Sequence, residues 1–101
     1  MKQINQRDAI YYIENRLDFR ASALEGLDGR TNTYGRLDAE EVARYESVKN
    51  SIDYVVMSYR TPIAWHSAEG WYCVAQKFSV TTSKHQNYVR RAIANTMVGA
   101  E

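Results

Sequence analysis

Cysteine and proline each occur once, as Cys73 and Pro62, and glycine only five times in 101 residues. A lone thiol excludes an internal disulfide and leaves too few thiolates for a structural zinc site. No stretch approaches the ~20 apolar residues that a membrane-spanning helix requires. The opening MKQINQRDA lacks the apolar core of a secretory signal, so a cytoplasmic protein without a membrane partner is expected. Charge of one sign is not in excess either: 13 Lys and Arg face 12 Asp and Glu, a formal +1. That balance excludes a global positive field and leaves only a local patch for any polyanion. Fingerprints of P-loops, Rossmann turns, helix-turn-helix pairs, zinc fingers and RNP strands are missing, as are internal repeats and low-complexity tracts. The chain is therefore read as cofactor-free and non-enzymatic.

What the chain does have is aromatic side chains and a β-rich centre. Its length suits a single domain over 1–101 that buries about two-thirds of its unfolded surface. Within 53–59, Val55, Met57 and Tyr59 share one face and Tyr54, Val56 and Ser58 the other, so neither face is purely polar. Such a strand is central and covered on both sides. Pro62 has no N–H for a ladder and biases Thr61 toward extended geometry, which predicts a bulge or edge crossing at 60–62 before a strand resumes over 63–66. Ser67-Ala68-Glu69-Gly70 then joins AWH to WYC as a hairpin, and predicts Trp65 and Trp71 pairing across it.

Around this centre the periodicity changes. Asn5 with Asp8 caps a first helix over 6–16, with Ile10, Ile13 and Leu17 inward, and 19–27 reads as one strand. Gly29 and Gly35 frame a loop over 28–36. Asp38 caps a second helix, Glu41 completes a capping box, and Val42, Tyr45, Val48 and Ile52 form the buried stripe. After a strand end at 78–81, Ser83 with Gln86 caps the last helix. Its inward stripe is Val89, Ala92, Ile93, Thr96 and Met97, and 98–101 is a frayed tail. The sum is an α+β fold: a three- to four-stranded, mostly antiparallel sheet packed with about three helices.

The runs YVVMSYRTPIAWH and GWYCVAQKFSVTTSKHQNYVRRA resemble a small uncharacterised family of bacteriophages and bacterial mobile elements, in which a SYxTPIAW run precedes a SVTTSxHQ run. The resemblance spans 54–92. It implies a phage-like setting in a bacterial host and a compact α+β domain, and it assigns no activity to any residue.

Each chemical candidate has a plain structural reading. Cys73, between Tyr72 and Val74, takes a strand position that wants a small hydrophobe, where thiols are inert. His66, His85 and Cys73 lack the paired spacing of zinc sites, so no metal is expected. His85, near a helix start, reads as a neutral, locally bonded imidazole because the dipole disfavours its cation. Ser79, Thr81, Thr82 and Ser83 follow from strand propensity and capping; Glu40 and Glu41 follow from a helix start. An enzyme centred on Cys73 with His66 or His85 is the weakest reading.

Binding is the stronger one, since eight tyrosines and two tryptophans exceed what one small core hides. Tyr11, Tyr12, Tyr34, Tyr72 and Tyr88 are expected near the surface. Arg60, Lys77, Lys84, Arg90 and Arg91 are expected around the strand ends and the last helix, as a patch for phosphate or carboxylate. The expected binding residues are thus these five cations with Tyr34 and Tyr88. The expected function is a small phage-encoded protein that binds and modulates a host protein, for example as an inhibitor of a defence or gene-expression component. The alternative is a nucleic-acid-binding accessory protein using the basic patch, and a homodimer is compatible with either.

Overall fold

The 54–67 segment folds back on itself, and its first strand is buried on both faces. The computed structural model describes residues 2–99 and the side chains of 2–96. A 3₁₀ turn (Gln6–Asp8) leads into α1 (Ala9–Glu14), followed by β1 (Phe19–Ala21), β2 (Leu24–Asp28), α2 (Ala39–Val48), β3 (Tyr54–Ser58), β4 (Thr61–Ser67), β5 (Gly70–Cys73) and α3 (Val80–Gly99). The strands pair in chain order, all antiparallel. The α+β class holds, but the sheet has five strands rather than three or four. The extra strand comes from 19–27, which is a hairpin: Ser22 takes a φ of 60° and reverses the chain between Ala21 and Leu24.

All five β3 residues are buried. Tyr54 and Val56 point into a cluster with Ile13, Phe19, Leu24, Val89 and Ala92 beneath α1 and α3. Val55 and Met57 join Tyr45, Ile52, Trp65 and Val74 beneath α2. The sheet is therefore the middle of three layers, which is why alternation in β3 sorts bulk but not polarity. The expected bulge lies next to Pro62: register shifts between Val56 and Met57, so that Ile63 and Ala64 both enter the α1/α3 cluster. Gly26 is required on that face, because a Cβ there would collide with the Tyr54 hydroxyl and the Phe19 ring.

Several boundaries differ from expectation for local reasons. Trp65 pairs with Tyr72 and Trp71 with His66, so the two tryptophans sit on opposite faces instead of stacking on each other. Helix α1 stops at Glu14. Arg16 adopts a φ of 50° and the Leu17 N–H closes onto the Tyr12 carbonyl at 2.9 Å, leaving Leu17 exposed. Asn5 makes no side-chain cap bond. Asp38 does cap α2, accepting from the Glu41 N–H at 3.0 Å, but Glu41 turns inward rather than completing a capping box. Ile52 is buried beyond the end of α2, in extended backbone.

Helix α3 starts at Val80 because Ser79, not Ser83, caps it: Ser79 Oγ accepts from the Thr82 N–H at 3.2 Å. That cap removes the expected strand end at 78–81. Val89 and Ala92 are buried as expected, while the expected packing of Met97 lies outside the described side chains. The helix continues through Gly99, past the expected start of a tail at 98, and residues 100 and 101 of that tail lie outside the described residues. Among the described residues no helix is long and apolar enough to cross a membrane.

Candidate functional site

At one end of the sheet the β3–β4 turn, the segment before α2 and the start of α3 leave a cleft of about 490 Å³. It is lined by Arg36, Ser58, Tyr59, Thr61, Gln76, Lys77, Phe78, Ser79 and Thr82. Ser58, the last residue of β3, faces α3, with its Oγ 2.7 Å from His85 Nδ1 and 3.2 Å from Thr82 Oγ1. Ser79 Oγ donates to Thr82 Oγ1 at 3.3 Å, extending this hydroxyl chain to the mouth of the cleft.

Tyr59 and Arg60 form the two-residue turn, both left-handed at φ 49° and 66°. Left-handed backbone costs a non-glycine residue roughly 1–2 kcal/mol, and Asn-Gly is the usual solution. Tyr59 is 58% exposed, with its ring stacked on His85 at 6.2 Å and 26°. On the opposite wall Gly35 lies so close to Thr61 that a Cβ would collide with it. This approach lets the Arg36 N–H donate to Thr61 Oγ1 at 2.9 Å. Gln76 fixes the same wall, donating to the Arg36 carbonyl and accepting from the Asp38 N–H, each at 2.9 Å. Gln86 in turn holds the connection from β5, donating to the carbonyls of Val74 and Gln76 at 3.0 and 3.2 Å.

The described residues that line the cleft include two cations, Arg36 and Lys77, and no carboxylate. Among the described residues the ion-paired cations are Arg20, Arg44 and Lys49, with Glu25, Glu40, Glu41 and Glu46; the other pair is His66 with Asp53. Between Gly70 and Gly99 the chain carries Lys77, Lys84, Arg90 and Arg91 and no Asp or Glu.

His85 is fully buried. Burial, and then the neighbouring Lys84 charge, hold its pKa below the usual histidine value. Its partner is Ser58, on a distant strand, rather than a local group. Nε2 has no hydrogen-bond partner among the described residues. A serine 2.7 Å from an imidazole has the outline of a nucleophile and base. Accepting the serine proton, however, would leave a buried imidazolium with Nε2–H unpartnered beside Lys84. The arrangement suits a neutral strut better than a general base.

The other reactive candidates do not converge on the cleft. Burial pushes the Cys73 thiol up, with Arg90 offsetting this only in part, so it is a thiol at neutral pH. His66 bonds Asp53 at 2.8 Å, where β3 begins and β4 ends. Among the described residues no group of three or more His, Cys, Asp or Glu side chains is placed to hold a metal ion.

Of the expected binding residues, Lys77 lines the cleft. Lys84 follows on α3 with its Nζ 6.0 Å from the Tyr88 ring centre, and Arg90 and Arg91 are exposed further along that helix. Arg60 lies in the strained turn but lines a different pocket, with Arg20 and Glu25. Tyr34 does not join the others. It is half-buried on the α2 side, its hydroxyl donates to Glu46 at 2.8 Å, and its ring meets Tyr45 edge-on at 5.4 Å. Tyr72, also expected near the surface, is half-buried and bonded to Glu41 at 2.6 Å; burial and that bond push its phenol up to about 12. Sequence reasoning missed Arg36, Tyr59 and Phe78. The usable signal was the hydroxyl-rich SVTTS run, which accounts for capping alone until Ser58 is placed beside it.

A family model described as "Family of unknown function (DUF8033)" matches residues 8–97. No curated protein and no solved structure matches the chain.

Proposed function

The chain belongs to the family of unknown function DUF8033, and from that starting point we propose that it is a small binding module that seats an acidic surface of a partner protein against the basic side of α3. The observation that carries this reading is the segregation of charge. Arg20, Arg44 and Lys49 are all neutralised by carboxylates, whereas Lys77, Lys84, Arg90 and Arg91 lie in a segment without any. Cations gathered in a segment without acidic residues steer an acidic partner and fix its register. Lys84 and Arg91, seven residues apart, share one outward face, with Arg90 about 100° round the helix. In this reading the gene is carried by a phage or mobile element, as the SYxTPIAW and SVTTSxHQ runs suggest, and the partner is a host protein in the bacterial cytoplasm.

A second reading, nucleic acid, has its own support. Tyr59 and Tyr88 stand among the same cations, and aromatic rings interleaved with positive charge form stacking platforms for unpaired bases. The test is capture of partners from host lysate by the wild type and by the Arg90→Ala, Arg91→Ala double variant, with and without nuclease. The expected result is capture that survives nuclease and weakens about thirtyfold in the double variant, the loss typical of an anchoring arginine. Unchanged capture by a folded double variant overturns the α3 surface. Nuclease-sensitive capture that falls steeply with salt transfers the conclusion to nucleic acid.

A further inference from the structure

The charged walls of the cleft are not used by the fold. Among the described residues, Arg36 contributes only its backbone N–H and carbonyl to hydrogen bonds, and neither Arg36 nor Lys77 enters an ion pair. Two cations lining one recess, with no carboxylate among the described lining residues, concentrate positive potential there. Thr61 Oγ1 already accepts from the Arg36 N–H, so its own proton is left to donate to a ligand. Tyr59, held in left-handed backbone, has one ring face on His85 and the other open.

We propose that this cleft binds a nucleoside monophosphate, with the phosphate between Arg36 and Lys77 and the base on the open face of Tyr59. A guanidinium fork and an ammonium together match a phosphate dianion. A bare inorganic anion would leave most of 490 Å³ unfilled, a volume within the roughly 300–1,000 Å³ of sites that take small organic ligands. The exposed ring supplies what the rest of such a ligand needs, since every base has a flat face to stack. Free nucleotide and the phosphorylated end of a strand offer the same chemistry. The inference goes beyond the α3 reading and does not depend on it.

The test is a calorimetric titration of the intact chain with AMP, adenosine, inorganic phosphate, and a single-stranded oligonucleotide with and without a 5′-phosphate. AMP is expected to bind saturably, with adenosine and inorganic phosphate each at least about tenfold weaker. R36Q and K77Q are each expected to weaken AMP by about tenfold, the scale of one charge-assisted hydrogen bond, while melting as the wild type does. Y59L is expected to weaken AMP but not inorganic phosphate. Absence of AMP binding at millimolar concentration, or unchanged AMP affinity in folded R36Q and K77Q, overturns the site. Equal affinity for AMP and adenosine overturns the phosphate assignment, and equal affinity for AMP and inorganic phosphate overturns the base assignment. A 5′-phosphorylated strand that binds more tightly than AMP identifies a strand end as the source, and one that binds more weakly identifies free nucleotide. Because no macromolecular partner enters the AMP titration, its failure leaves the α3 surface standing, and failed capture leaves the cleft standing.

Discussion

The helices on the two faces of the sheet bury a carboxylate and an imidazole respectively, and the two are accommodated differently. Under α2, Glu41 accepts from the Tyr72 hydroxyl at 2.6 Å and from the Ala75 N–H at 3.2 Å, with Arg44 Nε at 3.4 Å. Under α3, His85 has Ser58 at 2.7 Å and nothing at Nε2. A buried carboxylate is tolerable only when its charge and lone pairs are met, and Glu41 meets that condition. A buried neutral imidazole can persist half-satisfied, at a cost of about 1–3 kcal/mol for the orphaned atom. The ion-paired Arg44 and Lys49 belong to the α2 side, whereas among the described residues Lys84, Arg90 and Arg91 on α3 enter no ion pair. One face is closed on itself and acts as scaffold. The other keeps a strained turn, a half-satisfied histidine and unneutralised charge next to a cleft, a clustering typical of sites that meet a partner.

The largest expected effect that separates the faces comes from the tryptophans. Trp65, on the α2 side, is 1% exposed and packs between Tyr45 and Tyr72 at 5.1 and 5.0 Å. Trp65→Ala is expected to lose about 3–5 kcal/mol in denaturant melts. Trp71, on the α3 side, is only half-buried against Tyr54 and His66. Trp71→Ala is expected to lose less than half as much. Equal losses would show that the two faces carry the fold equally and would undo the division.

Much of the scaffold face was legible in the sequence, because its signals are local. Asp38 caps the helix that its acidic first turn announces, and the alternation in 53–59 gives a strand covered on both sides. The misses come from turns without glycine and from contacts far apart in sequence. Ser22 in the first turn and Tyr59 and Arg60 in the second reverse the chain as non-glycine residues at positive φ, so the first hairpin reads as one strand and the second as an interruption at Pro62. The pairing of Trp65 with Tyr72 instead of Trp71 depends on register, and a shift of one residue moves every side chain to the other face. The cleft was the least legible. It joins Arg36, Ser58 and Lys77, residues from three separate segments, and the hydroxyls on α3 were fully explained by capping until Ser58 was set against His85.

The next largest effect is a pH dependence that isolates the α3 face. The folded pKa of His85 lies below its ordinary value, first through burial and then through Lys84. Between that folded value and about 6.5 the unfolded chain binds a proton that the folded chain refuses. Stability from this group is therefore full above about pH 6.5 and declines as pH falls, at up to about 1.4 kcal/mol per pH unit. The α2-side phenol of Tyr72, pushed up to about 12, titrates only at the alkaline end. Denaturant melts from pH 7.5 down to about 5.5 should show the decline in wild type and a flatter profile in His85→Met. An identical slope in the variant would place the titrating group elsewhere.

The smallest effect is the most direct comparison, because it removes arginine from each side in turn. Arg44 lies 3.4 Å from Glu41 and 3.6 Å from Glu40, with its guanidinium 5.5 Å from the Tyr72 ring centre. Arg44→Ala takes the counter-charge from a buried carboxylate and a cation from an aromatic face, so a loss of about 1 kcal/mol is expected, at the upper end for a partly exposed pair. Arg90 and Arg91 have no carboxylate within ion-pair distance among the described residues, and Arg90 is only weakly bonded to Asn87 at 3.4 Å. Their double substitution by alanine should shift stability by no more than about 0.5 kcal/mol, as for surface positions without special contacts. Measured by urea melts at low and high salt, the Arg44→Ala loss should shrink as salt screens the pair it removed, while the double variant should track the wild type throughout. A double variant as destabilised as Arg44→Ala would mean that the α3 cations serve the fold, and the surface assigned to a partner would have to be sought elsewhere.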